Sequence, residues 1–204
     1  MSLRNIVIGA GGHGKVIADI LLSGKQEVLG FLDDNPAREG HTPIGLPVLG
    51  LIARWSDYPD AGFIVAIGAQ HIRQQIVTQL EQAGNPQWIT AIHPMAAVST
   101  FTTIGHGTAI MAGTVINADA RIGQHSIINT GATVDHDCEV GDYVHIAPGV
   151  NLAGGVRVGN HTLVGAGATI APYCAIGDNV TIGAGAVVIN DIPSGVTVKG
   201  VPAR

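Results

Sequence analysis

Charge is scarce in this chain. Only 12% of its 204 residues are charged, and the net charge is −5. Lysines and arginines nowhere cluster, so the electrostatic footprint of a nucleic-acid binder is missing. Long apolar runs are missing too. Arg4 is followed by a short apolar stretch that is too brief for a signal peptide or a membrane span. These absences predict a soluble, cytoplasmic protein with no nucleic-acid partner and no membrane insertion. Cysteine is limited to Cys138 and Cys174. What the chain has instead is glycine, 29 residues of it, as a fold with many tight turns requires.

The abundance has a period. Every sixth residue from Ile92 to Val188 is Ile, Leu or Val, seventeen in all, without a slip in frame. Four residues after each of the first sixteen sits a small side chain, from Ala96 and Thr102 through Cys138 to Ala186. No helix has period six and a simple strand has period two, so the repeat marks a parallel β-helix. Glycine follows the aliphatic residue at Gly105, Gly123, Gly141, Gly159 and Gly177, eighteen residues apart, so one coil has three sides and a triangular section. The large and the small residue of each side both point inward. The two cysteines lie 36 residues apart, which is two whole coils. Two strand spacings separate them by roughly 9.6 Å, beyond the ~7 Å that a disulfide spans between Cα atoms. Both are therefore expected as free thiols filling small core slots.

Residues 1–83 follow a different grammar. An apolar strand at 5–10 runs into Gly9-Ala10-Gly11-Gly12-His13-Gly14, and a helix follows with Val16, Ile17, Ile20 and Leu21 on one face. A second strand at 28–32 ends at Asp33-Asp34. Residues 36–50 read as loop with a short strand. A third strand covers 63–67, and a second helix covers 70–83, stopped by Gly84. The alternation predicts a small, Rossmann-like parallel α/β unit. Residues 84–91 are expected as a linker, 92–190 as the β-helix and 191–204 as a tail.

Gly9, Gly11 and Gly14 spell G-x-G-x-x-G between strand and helix, with acidic residues about twenty positions on. Backbone N–H groups there can approach an anion at a helix N-terminus. Half of a dinucleotide fold suits a mononucleotide carrying something small. Gly12, His13, Gly14, Asp33 and Asp34 are the candidate ligand contacts. The aspartates can accept hydrogen bonds from a sugar, an amine or a base, or can simply form a solvated turn.

Among nine histidines, His136 stands out. It lies mid-ladder in Val134-Asp135-His136-Asp137, and a carboxylate on one imidazole nitrogen makes the other a better base. One coil later the same column holds Gly154, whose missing side chain leaves space above the imidazole and a reachable N–H. His145 follows at an outward slot, and His161 reads as a solvated turn residue. No two histidines are five apart, so the H-x4-H zinc pair of gamma-type carbonic anhydrases is absent and no metal is expected.

These features together resemble one family. Gly11-Gly12-His13-Gly14, Phe31-Leu32-Asp33-Asp34, Ile92-His93-Pro94, Asn129-Thr130, Asp135-His136-Asp137, His145 and Gly200-Val201-Pro202-Ala203 are similar to the sialic acid O-acetyltransferase type of sugar O- and N-acyltransferases. The nearest pattern is that of enzymes that N-acetylate UDP-linked 4-amino sugars (bacillosamine pathway) or GDP-perosamine. The resemblance implies a left-handed coil, a nucleotide-sugar site in the N-terminal domain, and acetyl-CoA lying along the β-helix between neighbours of a homotrimer. It implies that His136 deprotonates the acceptor amine, that Asp137 raises its basicity, that the Gly154 amide steadies the oxyanion, and that His145 contacts acetyl-CoA. Gly165, Ala166 and Ala184 lie further along, where small side chains let the cofactor lie close. Outward apolar residues such as Met111, Ile127 and Leu163 are expected to be covered by copies of the chain. The alternatives are a hydroxyl-directed O-acetyltransferase and a non-enzymatic trimeric scaffold that binds a nucleotide sugar.

Overall fold

A computed structural model describes residues 3–204. The chain divides after Pro94 into two compact units. In the first, β1 (Arg4–Ile8), α1 (Gly12–Ser23), β2 (Glu27–Leu32), β3 (Val48–Gly50), β4 (Ala61–Val65), α2 (Gln70–Ala83) and β5 (Gln87–Trp88) follow in order. The strands form one parallel sheet in the order β3-β2-β1-β4-β5. Central strands buried on both faces should be continuously apolar, and Ile6, Val7 and Ile8 of β1 are all fully buried. The stretch expected as linker thus supplies an edge strand, because Gln87 and Trp88 pair with Gly62 and Phe63.

The second unit is a left-handed parallel β-helix. Its two-residue strands pair with those eighteen positions on: Thr133 with Asn151, Glu139 with Arg157, His145 with Leu163. The aliphatic column is buried without exception from Ile110 to Val188, whereas Val98 and Ile104 are only half-buried and Ile92 is 39% exposed. The first coil has a neighbouring coil on one side only, so its large residues stay partly open. Cys138 and Cys174 are free and buried, and burial raises both thiols above their usual pKa.

Polar members of the small column solve a packing problem. Thr108, Ser126 and Thr162 are fully buried. Each hydroxyl donates to a turn carbonyl fifteen residues on: Gly123 at 2.7 Å, Gly141 at 2.8 Å and Gly177 at 2.8 Å. Each also accepts the amide eighteen residues on, from Ser126, Val144 and Val180. A short hydroxyl therefore bridges two coils where an apolar side chain would leave backbone groups unpaired.

Two expectations change. Met111 and Ile127 are each 2% exposed and already buried within the chain, while Leu163 is half-buried, so the first two need no second copy to cover them. The stretch expected as a tail continues the coil: Thr197–Val198 pairs with Thr181–Ile182, and the Ala203 N–H donates to Val187 O at 2.8 Å. Among the described residues no helix is long and apolar enough to cross a membrane.

Candidate active site

In the first unit the glycine motif opens α1 directly. Gly9 has φ +105°, a backbone that favours glycine. A Cβ on Gly14 would lie 1.9 Å from Gly9 O, so only glycine lets helix and strand approach this closely. Gly12 faces open space, and His13 is half-buried in the first turn. The helix has no acidic residue in that turn and no side-chain cap, which leaves its N-terminal amides for an anion.

Asp33 does not wait for a ligand. Its Oδ2 accepts the Ala10 N–H at 2.6 Å and a hydrogen bond from the Arg38 guanidinium, and its Oδ1 accepts the Asn35 N–H at 2.8 Å. Burial alone would raise the Asp33 carboxyl, but these two amides and the guanidinium outweigh it and hold the pKa below the ordinary value. Asp34 Oδ1 accepts the Ile52 N–H at 2.8 Å. The aspartates fix the loops, and Asp33 fixes Arg38. A cleft of about 640 Å³ is lined by Gly11, Gly12, Lys15, Arg38 and His41 among others. A second, of about 340 Å³, lies at the carboxyl ends of the strands between Asp33, Asp34 and Arg38 on one side and Ile52, Ile67 and Ile72 on the other. Lys15, Arg38 and His41 escape the sequence reading because Lys15 lies 23 residues before Arg38 and meets it only in the folded cleft. The available signal is Arg38, four residues beyond the acidic pair.

On the β-helix, His136 and Asp137 form a separate candidate site. Asp137 has φ +58°, at a corner where the same column holds Asp119 at +60°, Gly155 at +68° and Tyr173 at +61°. Aspartate tolerates this left-handed backbone, and here it turns the carboxylate back onto the preceding residue. His136 Nδ1 lies 2.8 Å from Asp137 Oδ2. Asp135 Oδ1 accepts both the His136 N–H at 2.8 Å and Asn117 Nδ2–H at 2.7 Å, which pins the turn from below. The hydrogen bond to Asp137, followed by the charge of Asp135, raises the His136 pKa above that of a free imidazole. The Asp135 carboxyl is lowered, chiefly by Asn117.

Nδ1 bound to a carboxylate leaves Nε2 as the working nitrogen. That edge of the ring rests on Gly154: a Cβ there would lie 2.6 Å from both His136 Nε2 and Cε1. Gly154 is consequently buried. The space that the glycine leaves is filled by the imidazole and is not open above it. Among the described residues no acceptor takes the Gly154 N–H. His145 is half-buried, with Nε2 3.3 Å from Asn129 Nδ2. Gly165, Ala166 and Ala184 lie on a different corner from His136. Gly131, Gly149, Gly167 and Gly185 repeat along this corner with φ near +68°, and nothing lies within 4 Å of where their Cβ atoms would be. His136, Asp137 and Gly154 thus come together, while Gly165, Ala166 and Ala184 line a bare edge across a two-residue strand.

Known proteins share this fold. Residues 5–80 match the family profile "PglD N-terminal domain", and residues 119–154 and 155–190 match "Bacterial transferase hexapeptide (six repeats)". The acetyltransferase domain of PglB from Neisseria gonorrhoeae, solved with acetyl coenzyme A, is 39% identical with a TM-score of 0.94, over 100% of this chain and 99% of that one. The chain belongs to this family of hexapeptide-repeat sugar acetyltransferases. A second member, PerB from Caulobacter crescentus in complex with CoA and GDP-perosamine, is 39% identical with a TM-score of 0.92, over 100% of this chain and 97% of PerB. Among curated relatives, the UDP-N-acetylbacillosamine N-acetyltransferase of Bacillus subtilis is 41% identical over 117 residues, 54% of this chain and 52% of that protein. An uncharacterized mimivirus protein, L142, is 35% identical over 123 residues. The chain spans about half the length of the first of these curated relatives and 24% of the second. PerB was solved with CoA and GDP-perosamine, and the PglB domain with acetyl coenzyme A.

Proposed function

We infer that this protein transfers an acetyl group from acetyl-CoA to the amine of a nucleotide-linked amino sugar of the UDP-4-amino-sugar type, in the cytoplasm, as a step of bacterial glycan biosynthesis. The observation that carries this reading is the His136–Asp137 pair at 2.8 Å, with Nε2 directed at a glycine whose amide has no acceptor among the described residues. A neutral imidazole takes the proton of the attacking amine at Nε2 while Asp137 holds the Nδ1 proton. The C–N bond forms as the thioester carbonyl becomes an oxyanion, and a fixed N–H such as that of Gly154 favours this charge. Collapse expels the CoA thiolate, which takes from His136 the proton that the amine gave up.

The first unit supplies binding. The α1 N-terminus with Lys15, Arg38 and His41 suits a nucleoside diphosphate, and Gly12, His13, Gly14, Asp33 and Asp34 frame it. His145, Gly165, Ala166 and Ala184 serve acetyl-CoA on the bare corner, and a homotrimer brings that corner of one protomer to the His136 corner of the next. A panel of UDP-, GDP- and dTDP-linked 4-amino sugars with acetyl-CoA, read by thiol release, tests the reading. Turnover with an amine acceptor supports it. Turnover confined to hydroxyl acceptors such as sialic acids replaces it with O-acetylation, and binding without turnover replaces it with a scaffold.

A further inference from the structure

The corner that carries Asp137 also holds an exposed aromatic side chain that no neighbouring ring among the described residues covers. Tyr173 has φ +61°. Glycine or aspartate occupies that backbone readily, and tyrosine does so at a cost. Tyr143, with φ +56°, has a compensation: it is 8% exposed and stacked between His125 and His161, with ring centroids 5.3 and 5.2 Å away. Tyr173 is 74% exposed. The turn of the β-helix demands this backbone throughout the column, where Asp119, Asp137 and Gly155 adopt it too, so the fold accounts for the φ but not for an exposed aromatic ring at that place.

The ring's position bears on its role. It leans along the corner onto Gly155, where a Cβ would lie 2.5 Å from Tyr173 Cδ1 and 2.7 Å from Cε1. The His136 imidazole leans onto Gly154 from the opposite side. The backbone binds the three levels together: the Gly155 N–H donates to His136 O at 2.9 Å and the Tyr173 N–H to Gly154 O at 3.0 Å. Two rings therefore converge on one bare dipeptide, their corners two coils or roughly 9.6 Å apart. A thioester carbonyl with its oxygen at the Gly154 amide and its attacking amine on the His136 side has two directions left, for sulfur and for the acyl chain. The Tyr173 ring, against Gly155, borders that side of the dipeptide.

We propose that Tyr173 determines acyl specificity: its ring walls the thioester end of the donor site, admits an acetyl group and turns away longer chains. This rests on the acetyl-transfer reading above. Each additional methylene against a fixed wall is worth roughly 10–200-fold in kcat/KM. The test compares acetyl-, propionyl- and butyryl-CoA in wild type, Tyr173→Gly and Tyr173→Phe, with a saturating 4-amino sugar nucleotide, UDP- or GDP-linked, whichever turns over in the panel.

Wild type should prefer acetyl-CoA over butyryl-CoA by at least about 100-fold. Tyr173→Gly should raise the butyryl-to-acetyl ratio by roughly tenfold or more, leave the acceptor KM unchanged, and melt no lower than wild type because the left-handed backbone suits glycine. Tyr173→Phe should keep the wild-type ratio, since the wall is the ring and not the hydroxyl. A Tyr173→Gly protein with wild-type ratios, or one that melts lower and loses activity evenly with all three thioesters, overturns the proposal alone. A wild type that transfers no acyl group from any of the three overturns the acetyl-transfer reading as well.

Discussion

At the residue scale, His136 Nδ1 faces one carboxylate, that of Asp137, at 2.8 Å. His136→Ala should lower turnover by roughly 10²–10⁴-fold, the usual worth of a general base. The His136 side chain is 53% exposed and outside the core, so the fold and the acetyl-CoA affinity should survive. Steady-state kinetics against an enzyme-free control would measure this, because thioesters acetylate free amines slowly unaided. Asp137 tunes the same group. It raises the His136 pKa, so more imidazolium persists as pH rises, and imidazolium cannot accept the proton. In Asp137→Asn the His136 pKa falls, and the acidic limb of the kcat/KM profile should move to lower pH while the plateau drops, because the amide is the poorer partner for a ring gaining charge. A limb that stays in place would mean that another group titrates. Asp33 works by holding its surroundings. Asp33→Ala strands the amides of Ala10 and Asn35 and frees Arg38, at a cost of about 2–3 kcal/mol. It should weaken UDP or GDP binding as well as lower the melting temperature. Lys15→Ala, at an exposed position, should weaken binding alone, which calorimetry beside a thermal melt would separate.

At the element scale, each six-residue unit is one strand and one turn, and its stability depends on what a narrow corner can hold. Ile146 is fully buried, so Ile146→Asp should abolish soluble protein, since an unpaired charge would enter a sealed core. The sharper test is Thr162→Val. It conserves shape but removes the bridge from Gly177 O to the Val180 N–H, and it should cost about 1–3 kcal/mol in a urea titration. A neutral outcome would mean that water replaces the bridge. His161 departs from the solvated turn residue that the sequence suggests. It stacks on Tyr143 at 9°, and aromatic pairs carry about 0.5–1.5 kcal/mol. The contrast shows where sequence is legible. A repeat that admits one large and one small side chain per side writes its frame into every sixth position, so the coil and the buried cysteines can be read directly. The His136–Asp137 contact is legible because it is local. The clustering of Lys15 and Arg38 is not, since β1, α1 and the turn after β2 must fold before those residues meet. The burial of Met111 and Ile127 is equally hidden, because an outward side chain is covered by whatever lies against its face, and the repeat is silent on that.

At the scale of the whole molecule, the proposed site is divided. His136 with Asp137 and Gly154 occupies one corner of the β-helix, while Gly165, Ala166 and Ala184 occupy another. The proposed three-fold closed assembly would make that division useful, because a heterologous contact that closes into a ring sets one corner of each protomer against a different corner of its neighbour. Light scattering should accordingly return three times the 20.9 kDa chain mass. Complementation is the stricter check. His136→Ala removes the base and leaves the bare corner intact. Ala184→Trp, at an exposed position outside the core, obstructs the bare corner and leaves the base intact. Each variant alone should be nearly inactive. If every site draws its base from one protomer and its cofactor edge from the next, unfolding the two together in equal amounts and refolding them should restore activity. Random assembly into closed trimers joins an intact base to an intact edge at about one interface in four, so the mixture should reach roughly a quarter of the wild-type rate. Mixing the folded trimers without unfolding should restore nothing over the same interval. A refolded mixture no more active than its parents would place base and cofactor edge on a single protomer, and the homotrimer would then serve stability and not catalysis.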